Sequence, residues 1–535
     1  GGFTAAAGGN ATDNSVNISG GTVAPVSGVG GNVYGGYLSH ASATGNATGN
    51  TVTITGGSMG DVYGGYTAGT GATTGNTVNL GTEADAVAAG TSIGTIYGGS
   101  KPTATDNTLN VYDSATARNI ANFDKINFKA TSTHITVGDT LLTLTTGATN
   151  FDWTKLHVDD LDNLNSSATS DRILTLMHNS NNINLSNYTP TGTRGRIHTS
   201  DYEADITTDG NSATTTKVYL KGYRFQNNDT NYAGGTATDA WGGRSIIGNK
   251  VQKNKLTLTG GSATLNARGG MVENTTVPGT TGDAAENKLI LNTGAQTANA
   301  YGAEVKTKTG SATKNEVTIN AGTVNGTVYG AALTHAAATG SATDNTVTIM
   351  GGTMGDVYGG WTAGTGATTG NTVNLGDGTH TLAAGTTING VLYGGSQTTV
   401  TDNTLNVKTN ATAGNIAHFD KVKFALNSTI NAANSLLTLN NGSQTTGLKW
   451  DKLEVDTSSL TGAGIKTYEP YRLKLIDNTA GIATTGYTGA RDSSTDKLEY
   501  IIDTDSHAAN ATRYITLEGY QFKDNTAAAY AASDG

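Results

Sequence analysis

The chain has 535 residues with 74 Gly, 5 Pro, 8 Phe, 4 Trp and no Cys, and only 14% of them are charged. Its formal net charge of −10 gives a surface that repels nucleic acid and anionic lipid. No disulfide can form, and no apolar run of about 18 residues offers a membrane-crossing helix. Glycine at about twice the usual fraction, without the Glu/Lys/Pro bias of a disordered tail, predicts a folded chain built on small residues and held by packing and backbone pairing.

In chain order, the first clear element is TVTITGG at 51–57, where Val52 and Ile54 alternate with Thr51, Thr53 and Thr55. That period of two marks a strand with one apolar face. The same alternation returns at Val78 and Leu80, at Leu109 and Val111, and at Val317 and Ile319. Each strand follows an Asn and is followed by a Gly, a short spacer and a (Val/Ile/Leu)-Tyr-Gly-Gly segment. The Asn series is Asn14, Asn50, Asn76 and Asn107, then Asn254, Asn287, Asn315, Asn345, Asn371 and Asn403. The Tyr series is Tyr34, Tyr63 and Tyr97, then Tyr301, Tyr329, Tyr358 and Tyr393.

A longer duplication overlies this rhythm. Tyr34, Tyr63 and Asn76 map onto Tyr329, Tyr358 and Asn371 at a constant offset of 295, and MGDVYGG is identical at 59–65 and 354–360. NIANFDKINF at 119–128 matches NIAHFDKVKF at 415–424, and GYRF at 222–225 matches GYQF at 519–522. The predicted organisation is two modules of about 295 residues, with repeats at 1–112 and 233–408 and irregular β segments at 113–232 and 409–535. The irregular segments carry the strand-like runs KINF at 125–128, KLHV at 155–158 and RILTLM at 172–177, with Trp153 and Trp450 as core anchors. Gly1 falls opposite Gly302, in mid-repeat, and the segment after Phe522 resembles that after Phe225, so the natural protein is expected to extend beyond this sequence.

Two or three inward apolar residues per strand are too few to bury a face, so neighbouring repeats must share a core. The expected fold is all-β, a right-handed parallel β-helix or β-solenoid of 26–36-residue repeats. Gly-Gly pairs fit sharp corners where φ is often positive and a Cβ would collide with the next coil. The recurrent Asn predicts a ladder of side-chain amides along the axis. The Tyr series reads either as a core or corner stack or as an aromatic stripe that binds sugar faces.

The units NTVTI-(T/M)-GG-x-MGDVYGG and NIA-x-FDK-(I/V)-x-F resemble the passenger regions of autotransporters, the type V secreted adhesin-like proteins of bacteria with outer membranes. The resemblance implies a β-helical stalk outside the cell, exported through an outer-membrane barrel that lies outside this sequence. Its implied partners are host or bacterial surface glycans or proteins, or further copies joined head to tail.

Catalytic signals are sparse. Gly56-Gly57-Ser58-Met59-Gly60 fits the nucleophile-elbow pattern, but its duplicate at 351–355 has Thr353 in place of Ser, and a coil corner accounts for both. The His residues show no ligand spacing, and His40 and His335 are equivalent loop positions. Asp159, Asp160 and Asp162 read as a polar loop rather than a Ca²⁺ site. The recurring acids Asp61, Asp124, Asp356 and Asp420 stand singly, against a paired-carboxylate glycosidase on this fold. The chain is therefore read as a non-enzyme with no cofactor and no metal, whose work is length, stiffness and multivalent display. A self-assembling filament and a polysaccharide-active enzyme are the alternatives.

Overall fold

The computed structural model describes all residues except 24–30, 102–103, 131, 160, 162–163, 165–166, 190–196, 199–200, 275–281, 397–400, 461–470, 511 and 523–535. Asp160 and Asp162, and the segment after Phe522, therefore lie outside the described residues. Two compact units separate, Gly1–Arg224 and Phe225–Gly535. Both consist of parallel stacked coils, a β-solenoid of about 14 turns over the two. Among the described residues, helix is limited to the 3-10 turns Trp153–Lys155, Asp209–Asn211 and Trp450–Lys452.

A representative coil begins with the short strand Ala47–Thr48, turns at Gly49 and Asn50, runs through Thr51–Ser58, bends, and continues as Val62–Thr67. The next coil repeats this in register, Val52 opposite Val78 and Tyr63 opposite Tyr97. The strands after the Asn series form a six-stranded sheet in the first unit and a nine-stranded sheet in the second.

Inward side chains line up in columns. Val52, Val78, Leu109, Ile126 and Leu156 follow one another through the first unit, and Leu289, Val317, Val347, Val373 and Leu405 through the second. All are buried. Three aliphatic side chains at about 2 kcal/mol each fall far short of the cost of ordering some thirty residues at about 1 kcal/mol or more each. A coil is thus stable only against its neighbours.

Parallel winding continues beyond the last Asn of each series, through Lys125–Phe128 and Leu156–Val158 in the first unit and Lys421–Ala425 and Leu453–Asp456 in the second. The strand topology then changes. Arg172–Ser186 pairs in parallel with Thr140–Leu144 on one edge and antiparallel with Thr214–Arg224 on the other, which in turn pairs with Tyr202–Thr208. Tyr471–Thr485 does the same between Leu437–Leu439 and Thr512–Gln521, followed by Leu498–Thr504.

Candidate functional site

The asparagines form a hydrogen-bonded column inside each unit. Asn50 Nδ2 donates to Asn76 Oδ1 at 2.9 Å, and Asn76 Nδ2 to Asn107 Oδ1 at 3.1 Å. The second unit continues this from Asn254 through Asn287, Asn315, Asn345 and Asn371 to Asn403, with Nδ2 to Oδ1 distances of 2.8–3.2 Å. Each amide makes further bonds: Asn345 Nδ2 also donates to Ala312 O, and its Oδ1 also accepts the backbone N–H of Asn315. These fully buried groups thereby escape the penalty of an unpaired polar atom. The column ends on a carboxylate. Asp124 Oδ2 accepts Asn107 N at 3.2 Å and Asp420 Oδ2 accepts Asn403 N at 3.2 Å, while Lys155 and Lys449 pair with the opposite carboxylate oxygens.

The Gly-Gly pairs belong to the same device, for a reason that differs in part from the expected one. None of Gly35, Gly36, Gly64, Gly65, Gly98 or Gly99 has positive φ. Each faces inward, where a Cβ on Gly64 would stand 2.7 Å from Gly98 O and one on Gly65 2.6 Å from Asn76 Nδ2. The glycines make room for the amide column and for the next backbone. Left-handed backbone occurs instead at the residue just before each ladder Asn: Asp13, Gly49, Gly75 and Asp106 in the first unit, and Lys253, Glu286, Lys314, Asp344, Gly370 and Asp402 in the second. That position was not foreseen. Gly and Asp hinted at it, whereas Lys and Glu give no such signal.

The tyrosines stack at this corner with their rings turned outward and, apart from buried Tyr301, half-buried. Tyr34, Tyr63 and Tyr97 lie face to face at 5.3 and 4.6 Å, within 10° of parallel. Tyr301, Tyr329, Tyr358 and Tyr393 do so at 4.9, 5.6 and 4.3 Å. Burial, followed by neighbouring phenols and Asp61, raises the Tyr63 phenol above its ordinary value, and Tyr358 is raised by burial, Tyr393 and Asp356. The rings cover one another's faces, so the column itself offers edges and hydroxyls rather than faces.

A second aromatic row, missed in the sequence, stands beside the first. In VYGGY the two inward glycines bring both tyrosines to the outer surface, so Tyr37 and Tyr66 pair in register next to Tyr34 and Tyr63. Tyr66 crosses Tyr63 at 83° and Tyr37 at 60°. In the second unit the equivalent places hold Ala332, Trp361 and Ser396, and Trp361 lies edge-on to Tyr329 at 5.9 Å. Below Tyr301 the column passes to buried Arg268, which pairs with Asp239 at 2.7 Å and Glu304 at 2.5 Å and faces the Tyr301 ring. Burial opposes the Arg268 charge, and Glu304 and Asp239 outweigh it.

The remaining sequence candidates have structural settings. Ser58 ends a strand and the chain turns into another strand, so the strand-to-helix turn of a nucleophile elbow is absent there. His40 and His335 each accept the N–H two residues on, at 3.1 Å, through Nδ1. Asp61 and Asp356 accept Thr95 N and Val391 N at 2.8 Å. Asp159 pairs with Lys129 at 2.7 Å. Trp153 and Trp450 are buried and meet Tyr188 and Tyr487 edge to face. Among the described residues no group of three or more His, Cys, Asp or Glu is placed to hold a metal ion. Compared with known protein families, curated proteins and solved structures, the chain matches none.

Proposed function

We propose that this chain is a structural and adhesive stalk of a bacterial cell-surface protein, exposed outside the cell and exported as the autotransporter resemblance implies. The observation that carries the reading is the unbroken amide column of each unit, from Asn14 to Asn107 and from Asn254 to Asn403, which the backbone N–H groups of Asn107 and Asn403 close on Asp124 and Asp420. The polar interior of each coil goes into holding the next coil. The product of such a design is length and an outer surface that repeats once per coil, which suits many weak contacts acting together. The four acids that recur between the two halves, Asp61, Asp124, Asp356 and Asp420, each accept a backbone N–H, which supports a non-catalytic role.

The test is protease shaving and immunogold labelling of intact cells that make the protein. Release of solenoid fragments and gold at the cell perimeter are expected. A protein fully protected until lysis sinks the exterior reading.

A further inference from the structure

The heptapeptide MGDVYGG, identical at 59–65 and 354–360, sets the same pair of phenols in both units. Tyr63 stacks on Tyr97 at 4.6 Å and 5°, and Tyr358 on Tyr393 at 4.3 Å and 6°. Among the described residues these are the tightest tyrosine stacks between coils, since Tyr34–Tyr63, Tyr301–Tyr329 and Tyr329–Tyr358 stand at 4.9–5.6 Å. Tyr34 and Tyr37 are as close, at 4.5 Å and 18°, but share one strand and so join no coils.

Three features suit each pair to covalent chemistry. The first is register. Tyr63 faces Tyr97 between the pairs Val62–Ile96 and Gly65–Gly99, and Tyr358 faces Tyr393 beside Val357–Leu392, so backbones about 4.8 Å apart keep the rings together. The second is freedom of the last ring. The coil beyond places Ala121 opposite Tyr97 and Ala417 opposite Tyr393, so neither ring is sandwiched between two tyrosines, and both are half-buried. Tyrosine rings turn over a broad range about χ2. A bond between two phenol rings, each at the carbon beside its hydroxyl, leaves the ring centres about as far apart as these already stand. What coupling requires is a turn of the rings and not a movement of the coils. The third is a carboxylate. The charge of Asp61 acts on the Tyr63 phenol, and that of Asp356 on Tyr358 and Tyr393. In both acids Oδ1 accepts a backbone N–H, while Oδ2 has no hydrogen-bond partner among the described residues. An anion so placed eases the loss of an electron from the ring and can take up the phenolic proton.

We infer that Tyr63–Tyr97 and Tyr358–Tyr393 are sites of oxidative coupling, at which hydrogen peroxide acting through a haem peroxidase joins neighbouring coils by a dityrosine bond. Each phenol gives up one electron and one proton, and the two phenoxyl radicals combine at their ortho carbons. The hydrogens on those carbons then pass to the oxygens as aromaticity returns, and one peroxide is reduced to two waters. In a chain without cysteine this bond does what a disulfide does elsewhere, closing the loop from 63 to 97 or from 358 to 393 and restricting the unfolded state. The inference goes beyond the stalk reading and does not depend on it.

The test treats the full chain, at high dilution, with a haem peroxidase and hydrogen peroxide and then digests it after Asp and Glu. Cleavage at Glu83 and Asp85 puts Tyr63 and Tyr97 on different peptides, and cleavage at Asp377 does so for Tyr358 and Tyr393. Expected are the blue fluorescence of dityrosine, linked peptide pairs lighter than their sum by two hydrogens, and a higher urea midpoint for the linked chain. Tyr97→Phe with Tyr393→Phe, which keeps the rings, should lose both linked pairs and most of the fluorescence, with the β-sheet circular dichroism unchanged. The proposal falls if no dityrosine forms, if it joins only separate molecules, or if other tyrosines such as Tyr37 and Tyr66 carry it. It falls equally if the Phe pair fluoresces as the parent does, or if the linked chain unfolds at the parent's midpoint.

Discussion

From Asn315 to Asn403 the inward side chains are no larger than Ile319 or Leu375, and each coil adds a buried amide to the column. From Asp420 onward the Asn–Asn ladder stops, and, beside the buried amides of Asn427 and Asn478, the interior fills with Phe424, Leu436, Leu437 and Trp450. The first unit changes in the same way at Asp124, after which Phe128, Leu141, Leu142 and Trp153 take over. The ladder coils thus depend on directional bonds between neighbours, and the coils after them on apolar volume. The antiparallel strands begin only in the second kind, where a thick core covers the last parallel edge.

Breaking one bond of the column should therefore cost more than its small side chain suggests. Asn345→Ala strands the backbone N–H and Nδ2 of Asn315 and the carbonyl of Ala312, for an expected loss of about 4 kcal/mol or more. Hydrogen exchange should show coils on both sides of residue 345 losing protection together. Trp450→Ala should cost about 3–5 kcal/mol, with lost protection concentrated in the coils after Asp420. If both variants loosen the same amides, the two regions are not held by different means.

Gly65→Ala tests the shared corner. Its Cβ would lie 2.6 Å from both Ala47 O and Asn76 Nδ2, and a loss of about 2 kcal/mol in urea unfolding is expected. Lys314→Gly should act oppositely, since Lys314 holds φ 54, and a gain of about 1 kcal/mol is expected from relief of left-handed strain. The smallest effect concerns pH. Burial raises the Tyr63 phenol above the ordinary 10.0, so the folded state holds that proton more tightly than the unfolded chain. Stability from this group is complete below pH 10 and is lost as pH rises beyond it. Tyr63→Phe should make the alkaline unfolding of the first unit less steep.

Alternation of Val52 and Ile54 with threonine and the spacing of Asn50, Asn76 and Asn107 made the strands, the stacking and the amide column legible, because each is a local pattern repeated. What escaped notice depends on chain geometry that residue type does not announce. Lys314 and Glu286 adopt left-handed backbone because the coil needs that turn before its Asn, not because they favour it. Tyr37 and Tyr66 reach the surface because two inward glycines shift the side-chain phase, which a strict period of two hides. RILTLM reads as a strand, but nothing in its residues tells that Arg172–Ser186 pairs in parallel on one edge and antiparallel on the other.

The amide column also has an electrical sense. At every step one Nδ2–H and the backbone N–H of an Asn point to the Oδ1 of the Asn at higher residue number, while the other Nδ2–H returns to a carbonyl of an earlier coil. Such aligned dipoles add, as peptide dipoles do along a helix, and leave a partial positive charge where the last donor emerges. There stand the carboxylates of Asp124 and Asp420, neutralising that pole much as an acidic residue does at the start of a helix. A further coil could extend the column from that pole only by presenting an acceptor, so stacking in this protein has a polarity written into its side chains as well as its strands.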